Sequence, residues 1–466
     1  MDEELNREAG KIVKRFESYL SQDSTDFFDI EDFEKIIDFY LINLKIKEAE
    51  VAAEMALAQY PFSSEILVLT SQVHLHQGKL EEAEADLEKA TVFNAHDADI
   101  YVLKGNVESM KGNCDEAIAH FEKALDLSEE KDEMYYNIGI TYQSFNRIEE
   151  AIEAYKKAVD INLSHENALY ELAFCLETSG KLESSIDYYK KFIDEDPYCQ
   201  EAWYNLGTIY SRLLRYEEAL DALEYAIIIE DNFASAYFNL GNTYLGMGNH
   251  AKALEAYKKT LEIEGAAPET YLQIAKVYNS MQEFGLGLKY FQKSAKLNDM
   301  SHEAWFGAGY ALSQMERWYE AIHFFNKALK LDKENGGYWY EVGKAEYKVG
   351  NMASSVNSFE EASFLTPSDS AIWLDWSHIY YEQGQFDKAA STIREGLEHV
   401  PEEAELYYRL VVYLVEQGNY QEAFVVLENA LILAFDKHSI LFDYFRDLET
   451  QKALFKIIDQ YRKDNQ

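Results

Sequence analysis

The sequence predicts an all-α protein, a tandem array of helix pairs with a period of 34 residues. Three observations carry that reading. First, Pro61, Pro197, Pro367 and Pro401 are separated by 136, 170 and 34 residues, all multiples of 34. Proline lacks an N–H and clashes with the preceding helical turn, so it marks helix boundaries. With Pro61 at position 32, twelve units begin at 30, 64, 98, 132, 166, 200, 234, 268, 302, 336, 370 and 404 and fill 30–437 without a gap. Second, position 20 is small in every unit: Ala49, Ala83, Ala117, Ala151, Ser185, Ala219, Ala253, Gly287, Ala321, Ser355, Ala389 and Ala423. Third, position 8 is Gly, Ala or Ser in ten of the twelve, with Ile37 and Val411 the exceptions in the first and last units.

Each unit, numbered here as repeats 1 to 12, reads as helix A, a turn and helix B. Positions 4, 7, 8 and 11 recur at helical spacing and define the packed face of helix A; in repeat 6 they are Trp203, Leu206, Gly207 and Tyr210. Gly112, Gly180, Gly248, Gly350, Gly384 and Gly418 stand at position 15, where a residue of positive φ closes helix A cheaply. Positions 20, 24 and 27 define the packed face of helix B, Ala219, Leu223 and Ala226 in repeat 6. Position 24 is large and apolar except at Ala53. Small residues at 8 and 20 are expected to let two helix backbones approach where they cross.

The run Ala202-Trp203-Tyr204-Asn205-Leu206-Gly207, followed by Tyr216-Glu217-Glu218-Ala219-Leu220, resembles the tetratricopeptide repeat. Local departures are Phe192 at the small position 27 and Glu108 and Glu346 at the usually aromatic position 11. The resemblance implies a right-handed superhelical solenoid whose A helices line a concave face. It also implies a non-catalytic protein-interaction scaffold.

Short flanks, 1–29 and 438–466, surround the array. Ile12, Val13, Phe16, Tyr19 and Leu20 give the first an amphipathic helix. Leu441, Phe442, Phe445, Leu448, Leu454, Ile457 and Ile458 give the second two more. Both are expected to cap the open ends of the stack; a dimer contact through the C-terminal helices is the alternative. Three cysteines, Cys114, Cys175 and Cys199, show no metal or disulfide spacing, which suits a reducing, cytoplasmic setting. No secretion signal or apolar run long enough for a membrane span is visible. A net charge of −41 repels phosphate backbones and anionic lipid, so nucleic acid and membranes are excluded as partners and basic protein segments are favoured.

Chemistry is sparse. His74 and His76 are two apart on a helix and do not face each other; His74 is expected to be a buried, hydrogen-bonded residue. Gly241, Gly246 and Gly248 lack the preceding strand and following Gly-Lys-Ser/Thr of a phosphate loop. Asp23, Asp26, Asp29, Glu31, Asp32 and Glu34 lack calcium-loop spacing and read as helix capping. No catalytic residues, metal site or cofactor are expected.

By the resemblance, positions 2, 5, 6, 9, 12 and 13 face the groove. Position 5 gives a stripe that includes Tyr136, Tyr170, Tyr204, Phe238, Phe306 and Tyr340. Asn137, Asn205 and Asn239 at position 6, with Asn242 at position 9, supply both donors and acceptors for a peptide backbone. Glu171 interrupts that row. The basic groove residues are Lys35, Arg212, Lys276, Lys344, Lys348 and Arg409. Glu269 and Gln273 stand where chaperone-binding members carry two bases, which disfavours that kind of carboxylate clamp. The leading expectation is an extended peptide or partner helix in the groove. The alternatives are a structural assembly subunit that associates through its ends or convex face, and a peptide-sensing allosteric regulator.

Overall fold

The computed structural model describes residues 2–21, 27–445 and 448–464. Every regular element among them is a helix. The chain divides into two compact units, 1–231 and 232–466. In the first, a helix over Asp2–Ser21 precedes six A–B pairs, from Ile30–Ile42 with Ile46–Gln59 to Gln200–Arg212 with Tyr216–Ile229. In the second, six pairs run from Ala234–Gly246 with His250–Glu264 to Ala404–Glu416 with Tyr420–Leu433. A 3-10 turn over Phe435–Ser439 and helices Ile440–Tyr444 and Leu448–Asp464 follow. Within each unit, helix A packs on its own helix B, and helix B on the next helix A. The result is a stack of antiparallel helix pairs in each unit, the solenoid architecture. Consecutive A helices also touch throughout the second unit and over repeats 1 to 3, which makes the A side the inner face there.

The turn is more uniform than the glycines imply. Position 15 is left-handed in all twelve repeats, at Gly78, Gly112, Gly180, Gly248, Gly350, Gly384 and Gly418 but also at Leu44, Asn146, Leu214, Gln282 and Glu316. The next N–H then reaches the carbonyl five residues back, as from Asn113 to Glu108 and from Arg215 to Tyr210, both at 2.9 Å. This bond closes the end of helix A.

The small residue at position 8 has a different reason from the one expected. It admits a side chain rather than a backbone. A Cβ on Gly105, Gly207, Gly241 or Gly309 would lie 2.6–2.7 Å from the position-24 side chain, Phe121, Leu223, Tyr257 or Phe325. Repeat 1 reverses the sizes, with Ile37 large on helix A and Ala53 small on helix B, and both are buried in one core cluster.

Position 4 holds position 32, whatever residue stands there. Trp203, Trp305, Trp339 and Trp373 each donate an indole N–H to the position-32 carbonyl of the preceding repeat, at Pro197, Asp299, Lys333 and Pro367, over 2.8–3.0 Å. Tyr407 does the same to Pro401 through its hydroxyl. Position 32 thus sits in the inter-repeat turn that the next helix A anchors. The departures at position 11 are satisfied too. Glu108 accepts from Asn113 and Glu346 from Asn351, each at 2.7 Å. In the flanks, Phe16 packs edge-on against Phe28 and Phe33, and Leu441, Phe445, Leu454 and Ile458 join the core of repeats 11 and 12.

Candidate functional site

Helix A carries the candidate residues, and its inner surface is more occupied than the sequence suggests. The position-5 rings do not stand free in the groove, because most lie on the position-24 ring of their own repeat. Tyr136 lies 6.0 Å from Tyr155, Phe238 5.7 Å from Tyr257, Phe306 5.4 Å from Phe325 and Tyr340 5.8 Å from Phe359. Phe306 also stacks on Tyr338 at 4.3 Å. Tyr136 contacts the His165 ring at 4.8 Å, and Tyr340 donates to Asp375 at 2.8 Å. Tyr204 is half-buried. The expectation that position 5 faces only the groove is corrected accordingly: these rings extend the core and show one edge.

The polar groove residues are likewise engaged. In the second unit, Asn242 contacts Asn239 at 3.4 Å and accepts from the Tyr257 hydroxyl at 2.7 Å. Lys344 pairs with Glu341 at 2.9 Å and lies over the Tyr340 ring. Lys348 lies over Tyr347, whose hydroxyl donates to Glu382. In the first unit, Gln143 donates to Glu171 at 2.9 Å and accepts from the Tyr155 hydroxyl at 2.5 Å. Asn137 and Asn205 are half-buried, and their amides make no hydrogen bond among the described residues.

Repeat 5 is the exception. Tyr170 is 56 % exposed and Phe174, four residues on and on the same helical face, 49 %. Below them is a narrow cleft of about 70 Å³, bounded by Ala173, Leu182, Tyr189, Asn205, Thr208 and Ile209, with Glu177 and Arg212 at its rim. Glu177 and Arg212 form an ion pair across it. The helix-B tyrosine, Tyr189, is 2 % exposed, and burial raises its pKa. Its counterparts Tyr155 and Tyr257 both donate to groove amides, whereas the Tyr189 hydroxyl has no partner among the described residues.

Local sequence explains the opening. Helix B of repeat 5 begins with a 3-10 turn over Leu182–Ser184, and only Ser185–Glu195, eleven residues, is α-helical. The B helices on either side, Ile148–Ile161 and Tyr216–Ile229, each run fourteen. Phe192, buried where other repeats carry a small residue, adds bulk between the helices. Ala173 places a Cβ where glycine admits the tyrosine ring in repeats 4 and 7. Sequence reasoning registered Phe192 as a departure but did not single out Phe174, Glu177 or Tyr189. The signal was there, since an aromatic at position 24 without glycine at position 8 is a volume conflict.

His74 is hydrogen-bonded as expected, with Nδ1 3.0 Å from Asp86, but it is half-buried and not buried. Asp29 caps the first helix A, accepting from the Asp32 N–H at 2.8 Å, while Asp23 and Asp26 lie outside the described residues. Among the described residues no group of three or more His, Cys, Asp or Glu could hold a metal ion, and no helix is long and apolar enough to cross a membrane.

The tetratricopeptide repeat family matches residues 43–100, 136–198 and 374–436, 96–164, 200–233 and 302–335, and 234–265. The chain belongs to this family. No curated protein matches it. Similar solved structures include YrrB, described as a TPR protein with an unusual peptide-binding site, at 21 % identity over 40 % of this chain and 95 % of that one, with a TM-score of 0.35. The APC/C hetero-tetramer Cut9–Hcn1 is similar at 15 % identity, 91 % and 97 % coverage and a TM-score of 0.39. A tetratricopeptide repeat protein from Parabacteroides merdae is similar at 16 % identity, 53 % and 98 % coverage and 0.43. As a tetratricopeptide-repeat protein, this chain is a protein-interaction scaffold in the general sense, a fold that is typically non-enzymatic.

Proposed function

We propose that the helix-A face of repeats 4 to 6 captures an extended protein segment, without catalysis. One observation carries this reading: Tyr170 and Phe174 are the adjacent large aromatic side chains that helix A leaves exposed over an open cleft. Buried aromatic anchors dominate binding at interface centres, commonly at 2 kcal/mol or more when truncated. Tyr136, Tyr204, Asn137 and Asn205 border the same face and would hold the backbone of the segment. The positions in the second unit, Phe238, Asn239, Asn242, Phe306, Tyr340, Lys344 and Lys348, are subsidiary, because their rings and head groups are largely committed to internal contacts. The same reading assigns 30–437 to the repeats, the flanks 1–29 and 438–466 to covering their ends, and the protein to the cytoplasm.

The test is selection of a random octapeptide phage library on the full chain, repeated with Tyr170→Ala combined with Phe174→Ala. Both residues are exposed, so the variant should melt like the parent. The expected result is enrichment of peptides that the variant no longer holds. Peptides held equally by both would move the site elsewhere. No enrichment at all, with a dimer by light scattering, would favour assembly through the C-terminal helices.

A further inference from the structure

Resting on the reading of this face as a peptide groove, we infer that the repeat-5 cleft takes one arginine or lysine side chain of the captured segment. The walls suit an aliphatic stem, because Tyr170, Phe174, Leu182 and Ile209 line the cleft with largely apolar surface. Long cationic side chains lay their stems on such surfaces while the head group stays in a polar setting. Aromatic faces attract the cation as well.

The head group would meet acceptors. Glu177 is at the rim, and Tyr189 and Asn205, which line the cleft, each carry an oxygen with no hydrogen bond among the described residues. In repeats 4 and 7 the corresponding phenol is satisfied inside the protein by Gln143 or Asn242. In repeat 5 the equivalent positions hold Phe174 and Glu177, and the Tyr189 O–H donates to neither among the described residues, so this hydroxyl can turn its oxygen lone pairs to an incoming donor. A protein with a net charge of −41 is complementary to a basic segment.

Arg212 already shows the chemistry, because its guanidinium pairs with Glu177 at the mouth of the cleft. It occupies the carboxylate that an incoming cation needs and so acts as an internal competitor. The pair is substantially exposed, with side-chain accessibilities of 53 % and 37 %, and exposed pairs contribute little to stability. Exchange for a partner's cation is therefore cheap.

A positional-scanning library of acetylated, amidated octapeptides, read by fluorescence polarisation against the full chain, tests this. Wild type should prefer arginine or lysine at one position by at least tenfold over both alanine and citrulline. Glu177→Gln should lose that preference, and Thr208→Trp, which fills the cleft from its half-exposed rim, should lose it too. Preferences at the remaining positions should survive in both. Arg212→Ala frees Glu177 and should strengthen the selection several-fold. A basic preference spread evenly over all positions, or one unchanged in Thr208→Trp, overturns the inference and leaves the groove reading standing. So does weakening by Arg212→Ala, which would mark the cleft as an anion site. No preference at any position in wild type overturns both.

Discussion

Repeat 4 closes its helix pair around Tyr155, while repeat 5 carries Tyr189 at the same position and leaves a cleft beside it. The two are neighbours in one compact unit and share the same period. In repeat 4, Gly139 lets the Tyr155 ring lie directly on helix A, and Ala158 completes the contact at position 27. In repeat 5 the matching residues are Ala173 and Phe192, so both changes add volume at one crossing. Repeat 8 poses the same problem, with Ala275 facing Phe291, but there position 20 is Gly287, and a Cβ on Gly287 would collide with Asn279 of helix A. Repeat 5 has Ser185 at that position, buried and bonded to the Leu182 carbonyl at 2.6 Å. It therefore has no compensating glycine. A helix pair tolerates bulk at one position only if another gives way, and where none does the pair opens.

The strongest way to break this comparison is Phe192→Ala. Truncating a buried phenylalanine costs about 3–5 kcal/mol when the site cannot collapse. Here the missing bulk is also what holds the helices apart, so helix B can reseat, and the expected loss is about 3 kcal/mol, at the low end. Adding Ala173→Gly should recover about 1 kcal/mol of it, because the ring of Tyr189 can then approach as Tyr155 does. Urea denaturation of the four members of this cycle measures the coupling. Strict additivity would show that Ala173 and Phe192 act separately and that the volume account is wrong.

The converse change is Gly139→Ala, which imposes the repeat-5 conflict on repeat 4. The added Cβ falls on the Tyr155 ring, and the expected cost is about 1–3 kcal/mol from overpacking. Because repeats couple only to neighbours, amide exchange should rise in Lys131–Ser144 and Ile148–Ile161 and leave repeats 1 and 2 unchanged. Gly207→Leu should act similarly around repeat 6. Protection lost evenly throughout the unit would contradict the solenoid reading.

Much of this was legible in the sequence, for an identifiable reason. A 34-residue period samples each structural position twelve times, so proline at 32 and small residues at 20 stand out by repetition. Single occurrences are harder to read. The left-handed turn residue looked optional because Leu44, Asn146, Leu214, Gln282 and Glu316 occupy it without being glycine. Tyrosine at position 5 looked like a free groove residue because helical spacing gives the face but not the depth. The ring reaches back over the turn towards position 24, and only the packed structure shows that it is half-covered. The cleft was visible only as an unexplained Phe192, since its cause lies in the joint volume of positions 8, 20, 24 and 27.

A smaller effect separates the turns of repeats 5 and 6. Gly180 takes its left-handed conformation without a steric penalty, whereas Leu214 holds φ at 60°. That conformation costs a residue with a Cβ roughly 1–2 kcal/mol, partly offset because glycine loses more entropy on folding. Leu214 is largely exposed, so Leu214→Gly should stabilise by about 0.5 kcal/mol net. Gly180→Ala should destabilise by about 1 kcal/mol. A rise in melting temperature for the first and a fall for the second check the sign.

The sharpest contrast for function lies between two tyrosines. Tyr136 and Tyr170 share position 5 in adjacent repeats. Tyr136 lies against Tyr155 and the ring of His165, which itself caps the next helix by accepting from the Ala168 N–H at 3.2 Å. Tyr136→Ala should therefore cost about 1–2 kcal/mol, in the range of a partly buried aromatic that loses ring contacts. Tyr170 has more than half its surface in solvent, and Tyr170→Ala should fall within about 0.5 kcal/mol of the parent, as surface substitutions do. The same pair should reverse order in peptide capture, with Tyr170→Ala the more damaging. Equal stability losses would place Tyr170 in the core and remove it as an anchor. A stable Tyr170→Ala that binds as well as the parent would separate exposure from function and leave the cleft a packing defect.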